Sequence, residues 1–401
     1  MIALDAWRAQ ARAWLASVAP RFGKEAARGL APEAHLALGR AYQRAKFEAG
    51  FAGINWAPEW HGQGLTPLHK VVFEEEEMPF GMPMGYFGVS LGISVPVVMQ
   101  MAQDRDWARE RVLAALRGDE IWCQLFSEPS GGSDLAGLRT RAEPDGNQWR
   151  LNGQKLWTTW AQHSDYGVIV ARHDPALPKH KGLTYFWLDM HAPGVTVRPF
   201  RLATGDAHVN EVFLDEVRID DTQRLSPVGG GFAAAMATLM IERYSAADPA
   251  GFGPPLEAFV ALARVRTIGG RPALDDGRIR SVIARTYAMR SGLDAIRTRA
   301  MRMMEAGMEP GPEGALSKLV SVRSRQRLSE LAIDLSGALG LAWDQGAWVK
   351  DDWVQSWLSA PTMRIAGGAD EMLLNTIAER ILGLPQDHRP DKGIAFRDVP
   401  V

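Results

Sequence analysis

The sequence predicts an α+β protein with an N-terminal helical domain, a middle antiparallel β domain and a C-terminal helical bundle. Three observations carry this. Apolar residues recur at helical spacing up to about Glu120. Short strand-like runs divided by turn signals fill the stretch from about Ile121 to Ser226. After Gly229-Gly230-Gly231 the helical period returns and persists. Helices, then strands, then helices, with no alternating βαβ units, argue against a doubly wound sheet. The expected borders are 1–120, 121–228 and 229–401.

In the first of these, "ALDAWRAQARAWLASV" and "DRDWARERVLAALRGDE" place apolar residues one helical turn apart, the latter ending at Gly118. Residues 81–103, "GMPMGYFGVSLGISVPVVMQMAQ", carry no charge and have the length of a bilayer span. Glycines and prolines interrupt them and no positive flank follows, so a buried core segment is expected. In the middle region "WRLNGQKLWTT", "YGVIVARH", "LTYFWLDM", "GVTVRPF" and "NEVFLDEVRI" have strand length and composition, with turns at Asp145-Gly146 and Pro193-Gly194. The last region predicts helices over about 231–246, 252–266, 276–306, 313–340 and 370–383. The final "LPQDHRPDKGIAF" reads as a polar surface extension.

Composition narrows the function classes. The chain has 401 residues, 23% of them charged, and a net charge of −2, so no basic excess marks a nucleic-acid partner. A single cysteine, Cys123, excludes an intrachain disulfide and a cysteine-cluster metal site. The opening "MIALDAWRAQARAW" lacks the pattern of a secretory signal, and a cytoplasmic protein is expected. "GVSLG" matches the nucleophile-elbow pattern at Ser90, but it lies in a helical region rather than between strand and helix. Neither a P-loop nor a GxGxxG occurs, and the histidines show no ligand spacing.

Two blocks carry chemistry. In "WCQLFSEPSGGSDLAGLRTRA" a strand-like run enters a turn whose glycines admit a ligand close to backbone amides and whose serines add hydroxyl donors. Alone, the block also reads as a surface turn closed by Asp134. In "NGQKLWTTW", Trp157 beside two threonines offers a flat apolar surface with short hydroxyls, suited to a planar heteroaromatic ring. Taken alone, a half-buried strand tryptophan is the plainer reading.

Together with "AGFAGINWAPEWHGQG", "GDAHVNEVFLDEVRI" and "RIAGGADEMLLNTIAERILGLP", these blocks resemble the acyl-CoA dehydrogenase family along nearly the whole chain. The resemblance implies FAD bound without a Rossmann motif and an acyl-CoA substrate. It also implies electron-transferring flavoprotein as acceptor and a homodimer or homotetramer, with a hetero-oligomer as a further option. It implies flavin contacts at Gln124, Phe126, Ser127, Gly132, Ser133, Trp157, Thr158 and Thr159. Trp157 would cover one ring face, Thr159 would bond near N5, and Ser133 would also serve the substrate. Arg266, Gly337, Gly368, Ala369 and Glu371 are the nucleotide-side expectations, and Arg243 that for the CoA end. Two departures stand out: Ser130-Gly131 replaces the usual Gly-Ala, and Trp160 occupies a usually small position.

Dehydrogenation of a thioester needs a carboxylate for the Cα proton. The position that often carries it is Gly367 here, and a glycine has no side chain for the task. Asp370 and Glu371 follow, but the segment enters a helix there, whose N-terminus favours their charge. The alternative family position is Glu242, in "FAAAMATLMIERYSAAD", on one helical face with Ala235, Thr238 and Leu239. Glu242 is therefore expected as the base, and the Gly367 amide as a donor to the thioester oxygen. Rivals are an acyl-CoA oxidase, a flavoenzyme on a non-CoA substrate and a poorly catalytic partner subunit. A bulky or branched acyl group is expected.

Overall fold

The structure, a computed structural model, describes residues 2–246, 255–306, 308, 311–337 and 353–399. The chain divides into two compact units. One comprises Met1–Leu202, Asp206–Glu242 and Asp387–Val401, the other Ala203–Gly205 and Arg243–Gln386.

In the first unit the helix Leu4–Phe22 buries Trp7, Ala11, Leu15 and Phe22, spaced along one face, the first three in a cluster with Phe51 and Phe73. The helix Arg105–Leu116 begins where the Asp104 carboxylate accepts the amides of Asp106 and Trp107, each at 3.0 Å. The uncharged 81–103 stretch is broken as its glycines and prolines predict. Short turns precede a π-helix at Ser90–Ser94 and a helix at Val95–Met101. Tyr86, Phe87, Ile93, Val95, Val97 and Val98 are buried. No helix among the described residues is long and apolar enough to cross a membrane.

Seven strands make one sheet: β1 Trp122–Leu125, β2 Arg141–Asp145, β3 Gln148–Thr159, β4 Tyr166–Arg172, β5 Leu183–Asp189, β6 Val195–Phe200 and β7 Val209–Asp220. The order is β1-β4-β2-β3-β7-β6, with β5 on β4. β2 with β3, β3 with β7, β6 with β7 and β4 with β5 are antiparallel, as alternating runs with short turns favour. β1 runs parallel to β4 (Trp122 opposite Tyr166), and β2 meets β4 in parallel at one pair, so the sheet is mixed. That pairing is possible because the SEPSGGSD loop and the β2–β3 hairpin separate β1 from β4. Successive residues feed opposite faces. Trp122, Phe126, Val168 and Val170 join a core with Ala108, Val112 and Leu116, whereas Cys123, Leu125, Ile169 and Ala171 join a second core with Trp149, Val212 and Leu214.

The second unit contains Leu256–Val265, Gly277–Glu305, Gly314–Ser336, Trp353–Ile365 and Asp370–Thr376. Trp353–Ile365 is a helix that the periodicity did not suggest, because Pro361 interrupts the pattern. A two-residue ribbon, Thr267–Ile268 with Arg271–Pro272, turns through Gly269 and Gly270, both at positive φ.

Candidate active site

The SEPSGGSD loop leaves β1 and folds back on itself. The Glu128 and Gly131 backbones exchange hydrogen bonds of 3.1 and 3.0 Å around Pro129 and Ser130. Gly132 is packed against Ser127: a Cβ there would lie 2.9 Å from the Ser127 Oγ. Gln124 and Ser127 are half-buried, Phe126 is buried, and Gly132 and Ser133 are exposed. Phe126 meets the Tyr185 ring edge-on at 5.8 Å.

Trp157 sits where β3 leaves its ladder with β7. The register slips between Lys155 and Thr158, and Trp157 takes a left-handed φ of 61°. A bulky residue adopts this conformation only under strain of about 1–3 kcal/mol, a cost typical of functional sites. The bulge leaves the indole 50% exposed, edge-on to Phe200 at 5.1 Å. The Leu156 amide, freed from β7, donates to Ser127 O at 2.9 Å, so the two sequence blocks join directly. Thr158 is buried, and its hydroxyl has no partner among the described protein groups. Thr159 is half-buried and pairs with Val209.

Trp160 also has a left-handed φ, 58°. Its Nε1 donates to Gly85 O at 2.9 Å, and its ring lies 4.4 Å from Tyr86 and 5.9 Å from His163. The substitution thus ties the strand end to the uncharged segment. Ser90 in that segment is fully buried, and its hydroxyl accepts the Trp122 amide at 3.1 Å. This is an anchoring role, incompatible with a nucleophile. The buried Cys123 thiol is pushed up to about 12 by burial and is inert in the same sense.

Glu242 lies on the helix Gly231–Ala246. Its side chain, like that of Arg243, lies outside the described residues. The face it continues is described: Ala235 and Thr238 are fully buried and Leu239 packs on the core. Thr238 Oγ1 lies 3.3 Å from the Tyr185 hydroxyl and donates to Ala234 O at 3.0 Å.

In the second unit the "RIAGGAD" turn follows Trp353–Ile365. Gly367 and Gly368 have φ of 66° and 99°, which side-chain-bearing residues resist. Lys318, buried on the helix Gly314–Ser336, donates to the carbonyls of Ala366 and Gly368, which flank Gly367. Asp370 begins the helix Asp370–Thr376, as its position suggests, but its carboxylate serves the tertiary structure instead of the helix end. It accepts from Arg323 at 3.0 Å and Arg364 at 2.9 Å. Burial opposes its charge, yet the two guanidiniums hold it below the usual carboxylate range. Ala369 is the N-cap and Glu371 is exposed. Gly337 terminates its helix at φ 57°. Arg266 ends Leu256–Val265, with its Nε buried and unpaired among the described protein groups.

Several residues here escaped the sequence reading. Lys318 and Arg323 lie about fifty residues before the turn they hold, and no local pattern links them to it. Lys155 and Glu128 lie inside the quoted blocks, whose sequence pattern gives them no role of their own. They form a buried ion pair at 2.8 Å.

The family model for the acyl-CoA dehydrogenase middle domain matches residues 123–217, and that for the C-terminal domain matches 229–382. The acyl-CoA dehydrogenase IpdE1 of Mycobacterium tuberculosis is 36% identical over 394 residues, covering 96% of this chain and 98% of that protein. The chain belongs to the acyl-CoA dehydrogenase family. It is thus an oxidoreductase acting on CH–CH bonds, from a family of flavoproteins. Acyl-CoA dehydrogenase FadE34 of the same organism is 34% identical over 385 residues, covering 92% of this chain but 51% of FadE34, so the chain spans about half its length. Among solved structures, the Tcur3481-Tcur3483 steroid ACAD superposes with a TM-score of 0.77 at 25% identity, over 96% of this chain and 98% of that one. The ChsE4-ChsE5 complex of Mycobacterium tuberculosis shares the fold, with a TM-score of 0.78 at 22% identity and the same coverage.

Proposed function

We propose that the chain catalyses FAD-dependent α,β-dehydrogenation of a bulky or branched acyl-CoA thioester. The observation that carries this is the strained, exposed Trp157 indole, bonded through Leu156 to the Ser127 loop and followed by a buried hydroxyl without a partner among the described residues. A flat apolar face beside unsatisfied polar groups fits a flavin ring. Gln124, Phe126, Ser127, Gly132, Ser133, Thr158 and Thr159 would hold it with Trp157. The unpaired buried Nε of Arg266 suits a phosphate. Gly337, Gly368, Ala369 and Glu371 are assigned to the nucleotide end by resemblance. Bound FAD supplies the acceptor for the hydride leaving Cβ.

The chain's own part is proton transfer and charge stabilisation. Glu242 takes the Cα proton, on the helix that buries Ala235 and Thr238. The Gly367 N–H donates to the thioester oxygen as negative charge grows there. Arg243 assists the CoA end. A substrate with a bulky acyl group is supported by the steroid enzyme among the structural relatives. Electron-transferring flavoprotein is the proposed acceptor.

A second reading, a subunit that works beside a different chain, is favoured by one pattern: FadE34 has twice this length, and ChsE4-ChsE5 is a two-component complex. Purification alone and beside candidate partners, followed by anaerobic titration with a panel of acyl-CoAs, tests both readings. Flavin bleaching by the isolated chain supports a self-sufficient enzyme; bleaching only in a mixed complex supports the second. Rapid reoxidation in air would mark an oxidase. Glu242→Gln is expected to retain the yellow flavin and lose turnover by about 10²–10⁴-fold.

A further inference from the structure

We propose that the buried Lys155–Glu128 pair is the positioning device of the flavin site, locking the Ser127–Ser133 loop to the strand that presents Trp157. The inference rests on the flavin site assigned above. Two consecutive strand residues hold three consecutive loop residues. Lys155 Nζ donates to Phe126 O at 3.2 Å, the Leu156 amide to Ser127 O at 2.9 Å, and Lys155 Nζ to Glu128 Oε1 at 2.8 Å. The remaining Lys155 proton goes to Val170 O on β4 at 2.9 Å. Glu128 is equally committed: its Oε1 accepts the Thr140 amide at 2.9 Å and its Oε2 the Arg139 amide at 2.6 Å. One ammonium and one carboxylate thereby bind β4, the loop, the start of β2 and the residue two before Trp157.

Both side chains are sealed from solvent, at 0% and 4% exposure. Desolvating two charges is costly, and apolar residues of equal volume generally stabilise a core as well or better. Stability alone is therefore a weak reason for the pair. Its distinctive property is geometric: every donor and acceptor is directional, so the loop cannot slide along the strand without breaking several bonds at once. The place where it acts matches. β3 leaves β7 just after Lys155, and the pairing lost there is replaced by pairing to the loop. Leu156 and Trp157 have no partner on β7, so this second anchor is what fixes the strand between Lys155 and Thr158, where Trp157 takes its strained φ.

The test compares flavin-loaded wild type with Glu128→Gln and with Lys155→Met/Glu128→Leu, an apolar pair of similar volume. Thermal midpoints report folding. FAD release well below those midpoints, followed by flavin fluorescence, and kcat against KM report positioning. The double variant is expected to fold cooperatively near the wild-type midpoint while releasing FAD and losing kcat by roughly a hundredfold, the scale of an ångström misplacement. KM should change little. Glu128→Gln should show the same effects in weaker form. Wild-type release and kcat in either folded variant overturns the proposal, and failure of both to fold assigns the pair to stability alone. A wild-type protein that carries no flavin overturns the site assignment itself, a distinct outcome.

Discussion

At the level of single residues, the proposed mechanism gives Gly367 a backbone role in place of a side-chain one. The sequence explains why it is not the base, and the φ of 66° explains why it remains glycine. An L-residue there costs about 1–2 kcal/mol, so a glutamate moved to 367 in a Glu242→Gly background starts from a strained turn. What holds the amide in place is Lys318, which grips the carbonyls on either side. Lys318→Met is expected to lower kcat about tenfold or more at nearly unchanged KM, by letting the donor drift. Steady-state kinetics with flavin content matched checks this; a change confined to KM would count against it. Trp157, Thr158 and Ser127 were singled out because their residue types suggest ligand chemistry, and the structure joins their two segments through Leu156 and Ser127. Lys318, Lys155 and Glu128 were not, because in sequence a charged side chain looks the same whether it faces water or a carbonyl.

At the level of elements, strands were read better than their pairing. Each of β3 to β7 matches a run visible in the sequence, since period-2 alternation follows directly from which face is buried. The parallel partnership of β1 with β4 depends on where the intervening hairpin folds, which no local pattern specifies. The terminal extension is a clearer case. Most of it is exposed, yet Phe396 lies under the Arg172 guanidinium at 3.5 Å, and Ala395 bridges to Pro178. Arg172 in turn donates to Ala136 O and Leu138 O beyond the SEPSGGSD loop. Lys179 ties Asp391 to Asp134 at the loop itself. The tail is therefore a strap behind the SEPSGGSD loop. Phe396→Ala should cost about 1 kcal/mol, a cation–π contact shielded from water. Calorimetry should record a fall of roughly 1–2 °C, and hydrogen exchange should rise at Ala136–Leu138.

At the level of the whole molecule, pH response depends on buried charge rather than on the net value of −2. Glu120 is the clearest case. Burial, opposed by Arg111 and aided by Asp165, raises its carboxyl to about 7. Its native form thus holds a proton that the unfolded chain releases near 4.5. The associated stability is complete below about pH 4.5 and is lost as pH rises through about 7. Glu120→Gln should flatten that decline in urea titrations taken across the interval; an unchanged slope would exclude Glu120 as its source. By itself the sequence determined the class, the succession of helices and strands, the two blocks proposed to hold the ligand and the lack of a side chain at Gly367. These follow from periodicity and residue chemistry, which are local. Only the tertiary structure decided that the blocks meet through Leu156 and Ser127, that Trp157 is strained outward, and that Lys318, Lys155 and Glu128 hold the backbone in place. Those are contacts between residues far apart in the chain, and they exist only once the intervening chain has folded and excluded water.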